Sequence, residues 1–274
     1  MLTLISAFIL LAAADPVLAT ADDFFAAGYY DEAVTEYKRF LFFNPRSESL
    51  SPVYYRLGRA CFEAGAVQAA VEAVHRAALH APDDSSRAEY ETKAAVFAIS
   101  AGNYSLAEVI LLRLCMEETS QRIRTRAAFF RAVACLYAYK WRTAREALAE
   151  YFTFQPDDDL ETRIDSLLDR AERMKLKSPA AAMWISTFLP GVGQMYCGDW
   201  GKGVNALVLN AGFAAWVGYK LWHQYWGDAY VIYSFLWQRY YFGNRYHARR
   251  TAEERNDRLR RAAVKSVLDA LEEP

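Results

Sequence analysis

Apolar and polar positions recur with one period through the first half of the chain. Tyr30, Val67, Tyr104 and Trp141 stand 37 residues apart, and so do Ala33, Ala70, Ala107 and Ala144 three positions later. Gly28, Gly65 and Gly102 share the register, as do Tyr37, Val74, Leu111 and Leu148. Within one period, Tyr54, Leu57, Gly58, Cys61 and Phe62 fall at i, i+3, i+4, i+7 and i+8, the stripe of an amphipathic helix. Gly65 interrupts that helix. Val67, Ala70, Val71, Val74, Ala77 and Ala78 then line a second helix, which closes before Pro82. Small residues at Gly58 and Ala70 let the two helices run antiparallel in close contact. A hairpin of this kind cannot bury both faces until another stacks on it. The period therefore predicts four hairpins over residues 20–177, with residues 158–177 as a closing helix. The acidic run Asp157–Asp158–Asp159 is expected to cap that helix and complement its dipole.

The pattern changes after residue 177. Ser178-Pro179 favours an extended backbone before a new helix. Three apolar segments follow, Ala180–Cys197, Val204–Trp222 and a weaker Ala229–Phe242, and they predict a membrane domain over residues 178–247 with two or three hydrophobic helices. Pro190-Gly191 interrupts the first, which a membrane helix tolerates when neighbours satisfy the freed backbone groups. Trp184, Tyr196, Trp200, Trp216, Trp222 and Trp226 sit near segment ends, as interfacial aromatics do. Between the first two segments, five glycines (191, 193, 198, 201 and 203) allow a tight turn and close helix contact. Residues 248–274 read as a charged amphipathic helix, with Leu259, Ala263, Val267 and Leu271 at i+4 spacing. Such a helix suits an anionic lipid surface, a partner, or loose packing on the protein itself. At the other end, Leu2–Ala14 is a short apolar run followed by Val17-x-Ala19. Residues 1–19 are expected to be a signal peptide, although no Lys or Arg follows Met1.

Two resemblances rest on these residues. Tyr54, Leu57-Gly58, Cys61, Ala70, Val74, Ala77 and Pro82 resemble the tetratricopeptide repeat pattern of W, L-G, Y, A, F, A and P. That family has a shorter period, and the three extra residues of each unit are expected between hairpins, as in 46–52. The fourth unit carries Tyr139 where glycine is expected. The stretch Glu36-Tyr-Lys-Arg-Phe with Pro45 is similar to periplasmic repeat proteins of the β-barrel assembly type. The resemblance to tetratricopeptide repeats implies a ligand groove lined by the first helix of each hairpin. By register its positions here are Phe25, Tyr55, Arg59, Phe62, Ile99, Phe129, Val133 and Tyr137, side chains that serve equally as binding anchors or as packing between repeats. The Lys/Asn set by which some members clamp a carboxylate has no counterpart at Tyr55, Arg59, Val96 and Val133. Separately, Pro190, Gly191, Gly193, Gln194, Tyr196 and Gly198 resemble the P-G-x-G-Q-x-Y-x-G motif of a bacterial membrane domain of unknown function, itself related to a two-transmembrane hairpin domain, and the resemblance takes in Asn210 and Asn244-Arg-Tyr246. That resemblance implies a membrane hairpin and no particular activity.

Composition narrows the function classes. The 274 residues carry 32 basic and 33 acidic side chains, a net charge of −1 that gives no reason to expect nucleic acid. Cys61, Cys115, Cys135 and Cys197 contain no CxxC pair and read as buried apolar residues. His75, His80, His223 and His247 lack ligand spacing, and neither a G-x-S-x-G elbow nor a Walker lysine occurs. No catalytic residue, metal site or cofactor is expected. The fold expected is all-α: a tetratricopeptide-like solenoid, a helical membrane hairpin and an amphipathic C-terminal helix. The function expected is a non-catalytic scaffold at a bacterial inner membrane, with exported repeats that gather envelope proteins or peptides. An exported repeat domain with three crossings would leave the Arg-rich tail in the cytoplasm, and two crossings would leave it outside with the third segment in the interface. The alternative expectation is a subunit of an envelope transport or membrane-protein insertion complex, with the hairpin as its working part.

Overall fold

The computed structural model of the chain describes residues 15–116 and 120–272. Most of the expected signal peptide lies outside them. The described residues are helical with no strand. The chain divides at Thr162–Arg163 into two compact units.

In the first unit, α1 (Pro16–Ala26), α2 (Tyr30–Phe43), α3 (Leu50–Glu63), α4 (Val67–Leu79), α5 (Asp84–Ser100), α6 (Tyr104–Met116), α7 (Gln121–Tyr137) and α8 (Trp141–Phe154) follow one another. Each packs on the next in chain order. The second helix of every pair begins on a residue of the 37-residue series, Tyr30, Val67, Tyr104 or Trp141. The turn before it is built the same way each time. Gly28, Gly65 and Gly102 adopt φ of 82°, 78° and 74°, a left-handed conformation that lets the next amide reach back to close the preceding helix. Those closing bonds are Tyr29 N to Phe24 O, Ala66 N to Cys61 O and Asn103 N to Ala98 O, each 2.8–2.9 Å. The fourth turn makes the same bond, Lys140 N to Cys135 O, with Tyr139 forced to φ 59° in the glycine position. Ala33, Ala70, Ala107 and Ala144 are all fully buried. Gly58 faces Ala70 and Val74 so closely that a Cβ there would lie 2.5 Å from the Val74 side chain, which accounts for the close contact of α3 and α4.

Two expectations about this unit are corrected. The extra residues of the period do not all lie between hairpins: α5 and α7 have 17 residues against 14 in α3, so in those units they lengthen the first helix. Asp83 starts α5 early, its carboxylate accepting from Ser86 N at 2.8 Å. The first helix also begins before residue 20. Asp15 accepts from Val17 N at 2.9 Å, α1 runs through Ala19, and Val17 and Leu18 pack against the core formed by Ala21, Tyr37 and Leu57. At the far end, α9 (Asp158–Glu172) is capped as expected, with Asp157 accepting from Leu160 N at 2.9 Å.

The second unit contains α10 (Pro179–Phe188), α11 (Val192–Tyr196), α12 (Trp200–Trp222), α13 (Trp226–Val231), a π-helical turn at Ile232–Trp237, and α14 (Gln238–Glu272). The last three run on as one continuous helix. Ser178 accepts from Ala181 N at 3.2 Å and caps α10. The segment 180–197 is not one helix, contrary to expectation. It stops at Phe188, Leu189 is extended, and Gly191 sits at φ 94° before α11 begins. The expected boundary at residue 247 is also absent, because α14 passes through it and Ala248 and Ala252 are buried against Ala182 and Cys197. Farther along, Val264, Val267 and Ala270 are the buried positions; Val267 belongs to the i+4 series, whose Leu259, Ala263 and Leu271 are half-buried. No helix among the described residues is long and apolar enough to cross a membrane. α12 has 23 residues, but Asn205, Asn210, two lysines and four glycines dilute it.

Candidate functional site

The first-helix face of the repeat unit is an aromatic and cationic surface. Phe25 lies under the Arg59 guanidinium, 4.9 Å from its ring centre. Tyr55 meets Tyr90 at 5.6 Å, with the Lys93 ammonium 4.3 Å above the Tyr55 ring. Phe62 stacks on Phe97 at 4.8 Å. Beneath Phe25 and Arg59, Asp22 accepts from the Tyr37 hydroxyl at 2.6 Å and from Arg56 at 2.7 Å around a cavity of about 100 Å³. Burial, then the hydrogen bond to Asp22, pushes the Tyr37 phenol well above its usual range, so it stays a neutral donor. Ile99 and Phe129 are half-buried: Ile99 packs against the α5–α7 core, and Phe129 touches Phe130 and Tyr151. Val133 is half-buried as well, and Tyr137 is exposed and stacks on Tyr104. The eight register positions thus form no single patch. Phe25 and Arg59 meet Asp22 and Arg56, Tyr55 meets Tyr90 and Lys93, and Phe62 meets Phe97, partners which the register did not select.

In the second unit the glycine-turn motif is a packing device with a buried polar core. A Cβ on Gly191 would collide with the Gly203 carbonyl and lie 2.8 Å from Leu207 N; one on Gly193 would collide with the Ala182 carbonyl. These glycines therefore bring α11 into backbone contact with α12 and α10. Gly198, at φ 88°, forms the next turn. Pro190 stands in the break, and Tyr196 packs on Ala182 and Cys197 with Lys177 4.3 Å above its ring.

Gln194 anchors the polar core. Gly193 N donates to the Ser186 hydroxyl at 3.0 Å, and that hydroxyl donates to Gln194 Oε1 at 3.1 Å. Gln194 Nε2 donates to Asn244 Oδ1 at 2.6 Å and to the Asn244 carbonyl at 3.4 Å. A carbonyl can only accept, so the direction of this chain is fixed, and the Asn244 amide NH₂ is left without a partner. Asn210, on the facing helix, donates to the Ala206 carbonyl at 2.8 Å, and its own Oδ1 is likewise unpaired. Gln194, Asn210 and Asn244 line a cavity of about 610 Å³.

Outside this core the polarity is reversed. The buried line of α12 is Gly203, Asn210 and Val217, whereas Val204, Leu207, Val208, Trp216, Leu221 and Trp222 face outward. Tyr230, Val231, Phe235 and Phe242 do the same on the returning helix. A water-soluble helix pair shows the opposite arrangement, and an apolar surface of this extent calls for a cover.

Among the described residues no cluster of His, Cys, Asp and Glu could hold a metal ion. All four cysteines are buried; desolvation pushes Cys115 up to about 12 and Cys135 up to about 11, which keeps both as unreactive thiols. In comparisons with known protein families and with curated proteins, the chain matches none.

Proposed function

We propose that the protein is a non-enzymatic adaptor of the bacterial cell envelope, a tetratricopeptide-like repeat unit held to the membrane by its second unit. The observation that carries the anchor is the broad apolar outer surface of α12 and the helix returning beside it: Val, Leu, Phe and Trp face outward, while Gly203, Asn210 and the small Val217, Ala229 and Ile232 cluster lie inside. Two helices that bury their central amides and turn apolar side chains outward can enter lipid together when neither is apolar enough alone. The fourfold recurrence of turn and helix start supports the repeat reading. The face around Phe25, Tyr55, Arg59, Phe62 and Lys93 would be the docking surface. Its aromatic rings and unbalanced positive charge suit an extended acidic segment of an envelope protein.

Vesicle flotation of the full chain tests the anchor. The wild type is expected to float with neutral phosphatidylcholine vesicles, and the pair Val208→Asp and Phe235→Asp to stay at the bottom of the gradient with unchanged helix content. Equal flotation of both would defeat the reading. Docking is checked by a photoreactive residue at Tyr55, whose crosslinked partner should disappear with Arg59→Glu.

A further inference from the structure

The cavity between α12 and α14 is more than a packing defect. Lys202, Arg239 and His247 rim it, and no carboxylate lines it. Lys202 pairs with Asp199 at 3.0 Å, whereas Arg239 has no ion pair among the described residues. Asn210 and Asn244, both about 5% exposed, belong to its wall, and Asn210 Oδ1 and the Asn244 NH₂ lie unpaired beneath the surface. Arg239, Gly243 and His247 follow at i, i+4 and i+8 on one face of α14, and nothing lies within 4 Å of a Cβ placed on Gly243. The space is therefore open over the middle of that face, with basic groups a turn to either side. Its surroundings are the exposed apolar surface of the same helices.

We propose that this cavity binds the headgroup of an anionic glycerophospholipid. The phosphate sits on the basic rim, charge-assisted and bidentate where Arg239 provides the fork. The acyl chains lie along the apolar flank. The proposal rests on the membrane reading above and gives it a lipid preference.

The full-length protein in neutral detergent is titrated with dihexanoyl-phosphatidylglycerol, dihexanoyl-phosphatidylcholine and inorganic phosphate, with calorimetric readout. Phosphatidylglycerol is expected to bind about tenfold tighter than phosphatidylcholine, and Arg239→Gln to lose about that factor. Gly243→Leu, whose Cβ meets nothing within 4 Å and whose side chain extends into the cavity, should abolish binding while the protein melts no lower than the wild type. Both variants should still float with neutral vesicles, so a protein that floats without headgroup preference defeats the site and spares the anchor. Equal affinity for the two lipids, or binding that survives Gly243→Leu, overturns the proposal. Displacement by equimolar inorganic phosphate also overturns it and gives the cavity to the free ion.

Discussion

The two units use the same turn and opposite interiors. Gly65 in the first unit and Gly198 in the second each hold a left-handed φ, and in each the next amide closes the preceding helix: Ala66 N to Cys61 O at 2.8 Å, Asp199 N to Gln194 O at 3.0 Å. What the turns bring together differs. The first unit buries Ala33, Tyr37, Leu111, Leu136 and Leu148 and leaves its charges in inter-helix pairs such as Arg131 with Glu150 at 3.2 Å. The second buries Ser186, Gln194, Asn210 and Asn244 beside small apolar clusters, Ala182 with Cys197 and Val217 with Ile232, and exposes many of its aromatics. One local backbone device therefore serves two kinds of helix association. In one, water drives side-chain burial; in the other, small residues bring backbones together and amides bond across the gap.

That contrast can be broken most severely at Gly191. Gly191→Ala places a methyl group in the Gly203 carbonyl and on a left-handed φ, at a cost of about 4 kcal/mol or more. Gly212→Ala, with open space around it, should instead stabilise its helix by about 1 kcal/mol. Tryptophan fluorescence reads this selectively, since six of the seven tryptophans lie beyond residue 178; loss of cooperative melting in the first variant alone is expected. The next effect compares interiors. Gln194→Ala leaves Asn244 Oδ1 without a donor and the Ser186 hydroxyl proton without an acceptor, costing about 2–4 kcal/mol, whereas Leu111→Ala costs a similar amount, roughly 2–5 kcal/mol, by leaving a cavity. Gln194→Leu should recover little of the first loss, and melting of the three variants checks this. The smallest effect sharpens the shared turn. Tyr139→Gly relieves a left-handed tyrosine and should raise stability by about 1 kcal/mol, seen as a higher melting temperature of the repeat unit by circular dichroism.

The repeat unit was legible because its period is local. Tyr30, Val67, Tyr104 and Trp141 start helices wherever the chain repeats, and Gly28, Gly65 and Gly102 mark a backbone conformation that a single residue type identifies. Less was visible in α5, where Ser85, Ser86 and Arg87 look like loop yet extend the helix from its Asp83 cap. The aromatic contacts of the first-helix face followed the register only in part. Strict register pairs Phe62 with Ile99, but Phe62 stacks on Phe97 and Tyr55 meets Tyr90, both 35 residues on, because packed helices seat a side chain in a groove rather than opposite its equivalent. The Tyr90, Lys93, Phe97 spacing on α5 was the signal available. In the second unit, Pro190-Gly191 marked the interruption, but a kink within one helix and a full break into α10 and α11 look the same in the sequence. The resemblance to the membrane domain marked Gln194, Asn210 and Asn244. Gln194 and Asn244 stand 50 residues apart, and no local pattern announces a pairing over that distance.

The reversal of polarity is tested most directly by where single side chains sit when the full chain is bound to vesicles. Spin labels on introduced cysteines at Val208, Phe235 and, in the repeat unit, Phe42 report access to oxygen dissolved in lipid and to a water-soluble nickel chelate; the native cysteines are buried. All three positions are exposed in the protein itself. The account predicts oxygen-dominated relaxation at Val208 and Phe235 and chelate-dominated relaxation at Phe42. Chelate access at all three alike would contradict it.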